Sequence, residues 1–183
     1  MDILFKNPTY FFETYFDYSL VDFLVVFICC CIIISILCLK RFHSKIGRIF
    51  FVIVSSLYLA TLIGVTILNA NRVEMQSLNL SPITNIKELF GVMSIHQWRG
   101  CLSNVLFFIP FGVLGAIYFR KRRIVFTVLS GLVVSIVLEV LQYLLHRGCA
   151  ETMDVICNFL GTFIGAVFTV GIIGLINKMK TQQ

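Results

Sequence analysis

The chain has 183 residues, 58% hydrophobic and only 13% charged, with a formal net charge of +6. A soluble domain carries roughly a quarter charged residues, so this composition excludes an ordinary soluble globule and points to a single membrane domain. The positive charge does not point to nucleic acid, because the basic residues stand in short clusters beside apolar runs, the pattern that orients a membrane protein.

Residues 1–18 are aromatic and mixed in charge. Phe5, Tyr10, Phe11, Phe12, Tyr15, Phe16 and Tyr18 suit the membrane–water interface, and a short interfacial helix is expected after Pro8. No cleavable signal peptide is expected: Asp2, Glu13 and Asp17 replace a basic n-region, and the next apolar run is too long for an h-region. Five apolar spans follow, at 19–39, 46–68, 101–119, 124–145 and 154–176. Each is near the ~20 residues that cross a bilayer as a helix. Helices are required, because a lipid-exposed backbone must satisfy its own hydrogen bonds. The expected class is therefore an all-α, multi-pass bundle.

Lys40, Arg41, Lys45 and Arg48 lie between spans one and two. Arg120, Lys121, Arg122 and Arg123 lie between spans three and four, and Lys178 and Lys180 follow span five. With five spans these clusters share one side, which the positive-inside rule makes cytoplasmic. The N-terminus is then expected outside and the C-terminus inside. All nine acidic residues fall on or toward the outer side. The outer loop, 69–100, holds Ile86, Leu89, Phe90 and Met93 at helical spacing, which predicts an amphipathic surface helix over 84–94. Trp98 and Arg99 anchor the entry to span three. Asp22, near the start of span one, reads as an interfacial residue more than as part of a polar layer.

Seven cysteines do not form a disulfide framework. Cys29, Cys30, Cys31 and Cys38 sit in an apolar run as small hydrophobes, and Cys157 reads the same way. Cys101 and Cys149 both reach the outer side and are candidates to pair.

The polar residues within the spans share one depth. Asn104 lies about one turn into span three. Glu139 lies seven residues before His146, or about 10 Å at helical rise. Asn158 lies one turn into span five. Glu139, Gln142, Tyr143 and His146 fall on one face of span four. Asp154, Asn158, Gly161, Thr162 and Gly165 fall on one face of span five, and Gly161-x-x-x-Gly165 permits close helix approach. On span three, Asn104, Phe108, Phe111, Gly112 and Gly115 share a side, with Pro110 a site for a kink. An ionised carboxylate in lipid costs at least ~2.5–3.5 kcal/mol, so such groups face inward, pair, or line water. Arg147 is the nearest partner for Glu139, Glu151 or Asp154. Two readings fit: a buried structural network, or a hydrated pocket that holds a headgroup or transfers protons. No metal site is expected, since His146 is the one histidine nearby and there is no His-x-x-x-His. His43 and His96 read as surface residues. Ser103 and Ser130 lack a base, so no serine triad is indicated.

Asn104-Val-Leu-Phe-Phe-Ile-Pro110-Phe-Gly112 resembles the N-x-x-x-F-x-P-F-G signature of VanZ-like membrane proteins. Glu139-x-x-Gln142, then Arg147, Asp154 and Asn158-x-x-Gly161, are similar to that family's E-x-x-Q and R…D-x-x-x-N-x-x-G. Asn79-Leu-Ser-Pro82 is similar to its N-L-x-P-F. The resemblance runs from about Asn79 to Gly165. It departs at Glu151, where the family usually has aspartate, at Met153, where it often has an acid, and at Ile83, where it has phenylalanine. It implies a multi-pass protein of the bacterial cytoplasmic membrane, associated through the family's namesake with low-level resistance to teicoplanin, a lipid-tailed glycopeptide.

Three functions follow as expectations. In the first, which rests on the resemblance, the protein lowers susceptibility to teicoplanin-type glycopeptides at the outer leaflet, its outer-half pocket binding a lipid-linked cell-wall precursor or the lipid-tailed glycopeptide among the membrane lipids. Asn104, Glu139, Gln142, Arg147, Asp154 and Asn158 are then the ligand-binding residues, with Arg147 on an anionic group. In the second, the protein is an intramembrane enzyme that modifies a lipid headgroup or cell-wall precursor, with Glu139, His146 and Asp154 as the catalytic candidates. The third is a small transporter subunit. No cofactor is called for.

Overall fold

A computed structural model of the chain describes residues 20–38, 42, 44–68, 78–79, 95–146 and 150–182. Five helices in it are long and apolar enough to cross a membrane. They are α1 (Leu20–Cys38), α2 (Lys45–Ile63), α3 (Ile95–Tyr118), α4 (Arg123–Leu144) and α5 (Thr152–Thr181). The class is all-α, and the chain is a multi-pass membrane protein. The exposed apolar side chains fit that setting. Ile28 and Ile32 on α1, Val133 and Val137 on α4, and Phe163 and Val167 on α5 all lie open at the protein surface. Patches of this extent are rare on soluble monomers but match lipid tails. The aromatic segment 1–18, the helix expected over 84–94, and Arg147 and Cys149 lie outside the described residues.

The described helices divide into two compact units. The first contains α1 and α2, which pack against each other. From α1 it buries Cys30, Ile34 and Cys38, a stripe one turn apart per step. Ser44 caps α2 by accepting the Gly47 N–H at 3.3 Å. The last turn of α2 widens into a π turn at Gly64–Leu68. There the Thr66 hydroxyl donates to the Leu62 carbonyl at 2.8 Å. Asp22 is exposed in the first turn of α1. Cys29, Cys30, Cys31 and Cys38 form no disulfide among the described residues, in keeping with small hydrophobes in an apolar helix.

The second unit contains α3, α4 and α5 and carries Asn104, Glu139, Gln142, Asp154 and Asn158. α3 runs through Pro110 without ending. The basic run 120–123 makes the turn into α4, with Arg122 at a φ of 44°. The Arg123 guanidinium donates to the Ala116 carbonyl at 2.6 Å, satisfying one of the terminal acceptors of α3. A two-residue parallel bridge pairs Leu78–Asn79 with Ala150–Glu151, in the register Asn79 to Glu151. This brings the start of the Asn79-Leu-Ser-Pro82 motif to the head of α5.

Small residues hold α3, α4 and α5 together. A Cβ on Gly161 would collide with the Val105 carbonyl oxygen, and one on Gly165 with that of Ile109. A Cβ on Gly112 would strike the backbone of Thr162 and Ala166. α3 and α5 therefore touch backbone to backbone. The pairs 105/161 and 109/165 keep a constant offset, so the two helices run parallel. α4 packs on the same α5 face through Gly131, where a Cβ would meet the Thr162 side chain at 2.6 Å. Helices in lipid associate through such close contact, since burial from lipid supplies no hydrophobic drive.

Candidate functional site

Five polar residues meet at one end of the second unit, about 24 Å along α4 from the Arg123 end at helical rise. α4 contributes Glu139, which is buried, and Ser135 one turn before it. α3 contributes Asn104. α5 contributes Asp154 in its first turn and Asn158 one turn later. An acidic residue in the first turn of a helix also suits the positive end of the helix dipole.

Their contacts build two layers. In the outer layer the Glu151 N–H donates to Glu139 Oε2 at 3.1 Å. Glu151 is the N-cap of α5 and forms no cap bond with its own side chain, so Glu139 supplies an acceptor to a helix start that needs one. The Asn104 side chain hydrogen-bonds the Asp154 carboxyl, linking α3 to α5. Glu139 and Asp154 each lie within electrostatic reach of Glu151, and Glu139 within reach of Asp154. In the inner layer the Asn158 amide nitrogen donates to Ser135 Oγ at 2.9 Å, a buried link from α5 to α4. The Asn158 side-chain oxygen is buried and has no hydrogen-bond partner among the described residues. Beneath it, the Thr162 hydroxyl donates to the Asn158 carbonyl at 2.9 Å.

The helical spacing thus brings Asn104, Glu139, Asp154 and Asn158 together. Gln142 lies half-buried on the same α4 face, one turn beyond Glu139. His146 is exposed in the turn after α4, at a φ of 55°. Arg147 lies outside the described residues. Among the described residues no three His, Cys, Asp or Glu side chains are grouped to hold a metal.

Two features were not read from the sequence. Ser135 carries little signal by itself, because a serine in an apolar helix reads as neutral. Its signal was its place four residues before Glu139, in a line of buried small residues with Thr127 and Gly131. The second is a correction. Cys101 pairs with Cys157, not with Cys149, at a Cα separation of 5.6 Å. Cys157 is not merely a small hydrophobe. It faces Cys101 because 101/157 continues the parallel register of 105/161 and 109/165.

Chemically, the outer layer is a set of carboxyl and amide groups drawn from three helices. Such a set can accept hydrogen bonds from a polar group, hold protons, or pass a proton between carboxyls. The surrounding apolar helices strengthen each of these interactions.

A family model described as VanZ/LLP1 matches residues 49–174, a stretch that contains every site residue named above. The chain is also 31% identical over 135 residues to Protein VanZ of Enterococcus faecium, covering 70% of this chain and 76% of that protein. No solved structure matches the chain.

Proposed function

The chain belongs to the VanZ/LLP1 family, and from that membership we propose that it lowers susceptibility to teicoplanin-type glycopeptides by binding a lipid-linked or lipid-tailed molecule at the outer leaflet. The observation that carries the reading is the meeting of Asn104, Glu139, Asp154 and Asn158, from three helices, at the end of the unit remote from Arg120–Arg123. The positive-inside rule puts that basic turn in the cytoplasm and the polar layer in the outer half of the membrane. The N-terminus is then outside and the C-terminus cytoplasmic. Membrane lipids surround the exposed apolar faces. Glu139 and Gln142 form the floor of the site, Asn104 and Asn158 orient the ligand by hydrogen bonds, and Arg147 takes an anionic group, phosphate or carboxylate.

Expression in a susceptible host, with teicoplanin and vancomycin sensitivity measured at confirmed protein levels, tests this reading. Reduced teicoplanin susceptibility is expected. Unchanged sensitivity to both drugs removes the resistance assignment.

A second reading has its own support in the proximity of the Glu139 and Asp154 carboxyls. Two carboxyls in one apolar site suit general acid–base work on a lipid headgroup or cell-wall precursor. Envelope lipids and precursors compared between wild type and Glu139→Gln separate this enzyme from a binding protein. A changed species argues for chemistry, and identical profiles argue against it.

A further inference from the structure

The Cys101–Cys157 bond sits at the level of the polar site. Asn104 is three residues beyond Cys101 on α3. Asp154 is three residues before Cys157 on α5, and Asn158 directly follows it. The bond spans a sequence separation of 56, the same offset that relates Val105 to Gly161 and Ile109 to Gly165. Below this level the two helices are already held by backbone contact at glycine. The disulfide therefore adds its constraint above that interface, where Asn104 meets Asp154. The two sulfurs also differ in access. Cys157 has 0% of its surface exposed, whereas Cys101 is only half-buried. The cysteines of the described residues that form no disulfide lie on α1, in the other unit.

We propose that Cys101–Cys157 is a thiol–disulfide exchange site, in which Cys101 is the sulfur that an external dithiol or disulfide reaches and Cys157 is the buried resolving partner. In the reducing direction a thiolate of the dithiol attacks Cys101 Sγ. The bond to Cys157 breaks, and Cys157 Sγ leaves with the electron pair and takes up a proton. The second thiol of the partner then attacks the mixed disulfide, leaving the partner oxidised to its disulfide and Cys101 as a thiol. Two electrons pass from partner to protein. Oxidation is the reverse, beginning with the Cys101 thiolate on the partner's disulfide. The oxidised form fastens α3 to α5 at the depth of Asn104 and Asp154. The reduced form leaves the glycine-packed helices assembled and frees the site end of α3.

The test uses the full-length protein with Cys29, Cys30, Cys31, Cys38 and Cys149 replaced by alanine, and a maleimide-linked polyethylene glycol as the thiol probe. Without reductant, no adduct forms even after denaturation. After dithiothreitol treatment of the native protein, one adduct forms, at Cys101. After dithiothreitol and denaturation, two form. In the same background, Cys157→Ser leaves a Cys101 that reacts with oxidised glutathione at least ~10-fold faster than the Cys157 left by Cys101→Ser. The native cysteine set, digested without reduction and read by mass spectrometry, yields the Cys101–Cys157 cross-linked peptide. Two adducts without reductant overturn the proposal, as does a Cys101–Cys149 peptide. A bond that native dithiothreitol leaves intact overturns the exchange role, as does equal reactivity of the two single thiols.

Discussion

At Glu139 a side chain and a backbone group meet each other's need. The carboxyl, buried in an apolar helix, receives the N–H of Glu151, and that N–H belongs to a helix start without a side-chain cap of its own. Glu139→Gln keeps an acceptor oxygen in place, whereas Glu139→Leu leaves the N–H unpaired, at a cost of about 1–3 kcal/mol. Thermal unfolding in detergent is expected to rank Leu clearly below Gln, and equal melting would remove this contact from the account. The Asn158–Ser135 bond makes a separate claim, that a buried hydrogen bond joins α5 to α4. A double-mutant cycle with Asn158→Leu and Ser135→Ala is expected to give a coupling of about 0.6–2 kcal/mol, the range for interhelical hydrogen bonds in lipid. Simple additivity of the two changes would deny the link.

Between elements, packing is set by where side chains are missing. Gly161 and Gly165 bring α5 onto the α3 carbonyls, while a Cβ added at Gly171 on the same helix would meet nothing within 4 Å among the described residues. Gly161→Leu or Gly165→Leu is therefore expected to cost about 1–3 kcal/mol or prevent accumulation, whereas Gly171→Leu leaves detergent stability near wild type. Unfolding curves of the three variants check this, and a Gly171→Leu as damaging as the other two would contradict the interface. The same elements mark how far sequence reasoning reached. Periodicity put Asp154, Asn158, Gly161 and Gly165 on one face of their helix, and Glu139 and Gln142 on one face of theirs, because a helical face depends only on local spacing. Which helix that face meets, and in what register, depends on tertiary fit. Cys101 could not be matched by sequence to its partner for this reason: Cys149 and Cys157 are close in sequence, and only the parallel offset of α3 and α5 selects Cys157. Ser135 escaped for a related reason, since its role appears only when Asn158 is across from it. The Asn79 motif was visible, but its pairing with Glu151 crosses more than seventy residues.

For the molecule as a whole, function depends on which side of the membrane the polar layer faces. Gly100 is exposed near the site end of α3, and Thr181 ends α5 beside Lys178 and Lys180. In a background with the native cysteines replaced, Gly100→Cys in intact cells is expected to react with a membrane-impermeant maleimide. Thr181→Cys is expected to react only after permeabilisation, and the reverse pattern would invert the orientation and move the site to the cytoplasmic leaflet. The central claim is that the cluster of Asn104, Glu139, Asp154 and Asn158 is where this VanZ-family protein acts. Its most direct test is teicoplanin susceptibility in a sensitive host expressing wild type, Glu139→Gln, Asp154→Asn or Gly171→Ala at matched membrane levels. Wild type and Gly171→Ala are expected to raise the inhibitory concentration, and the two carboxyl variants to return it to that of the empty host; protection undiminished by both carboxyl changes would contradict a role for the cluster.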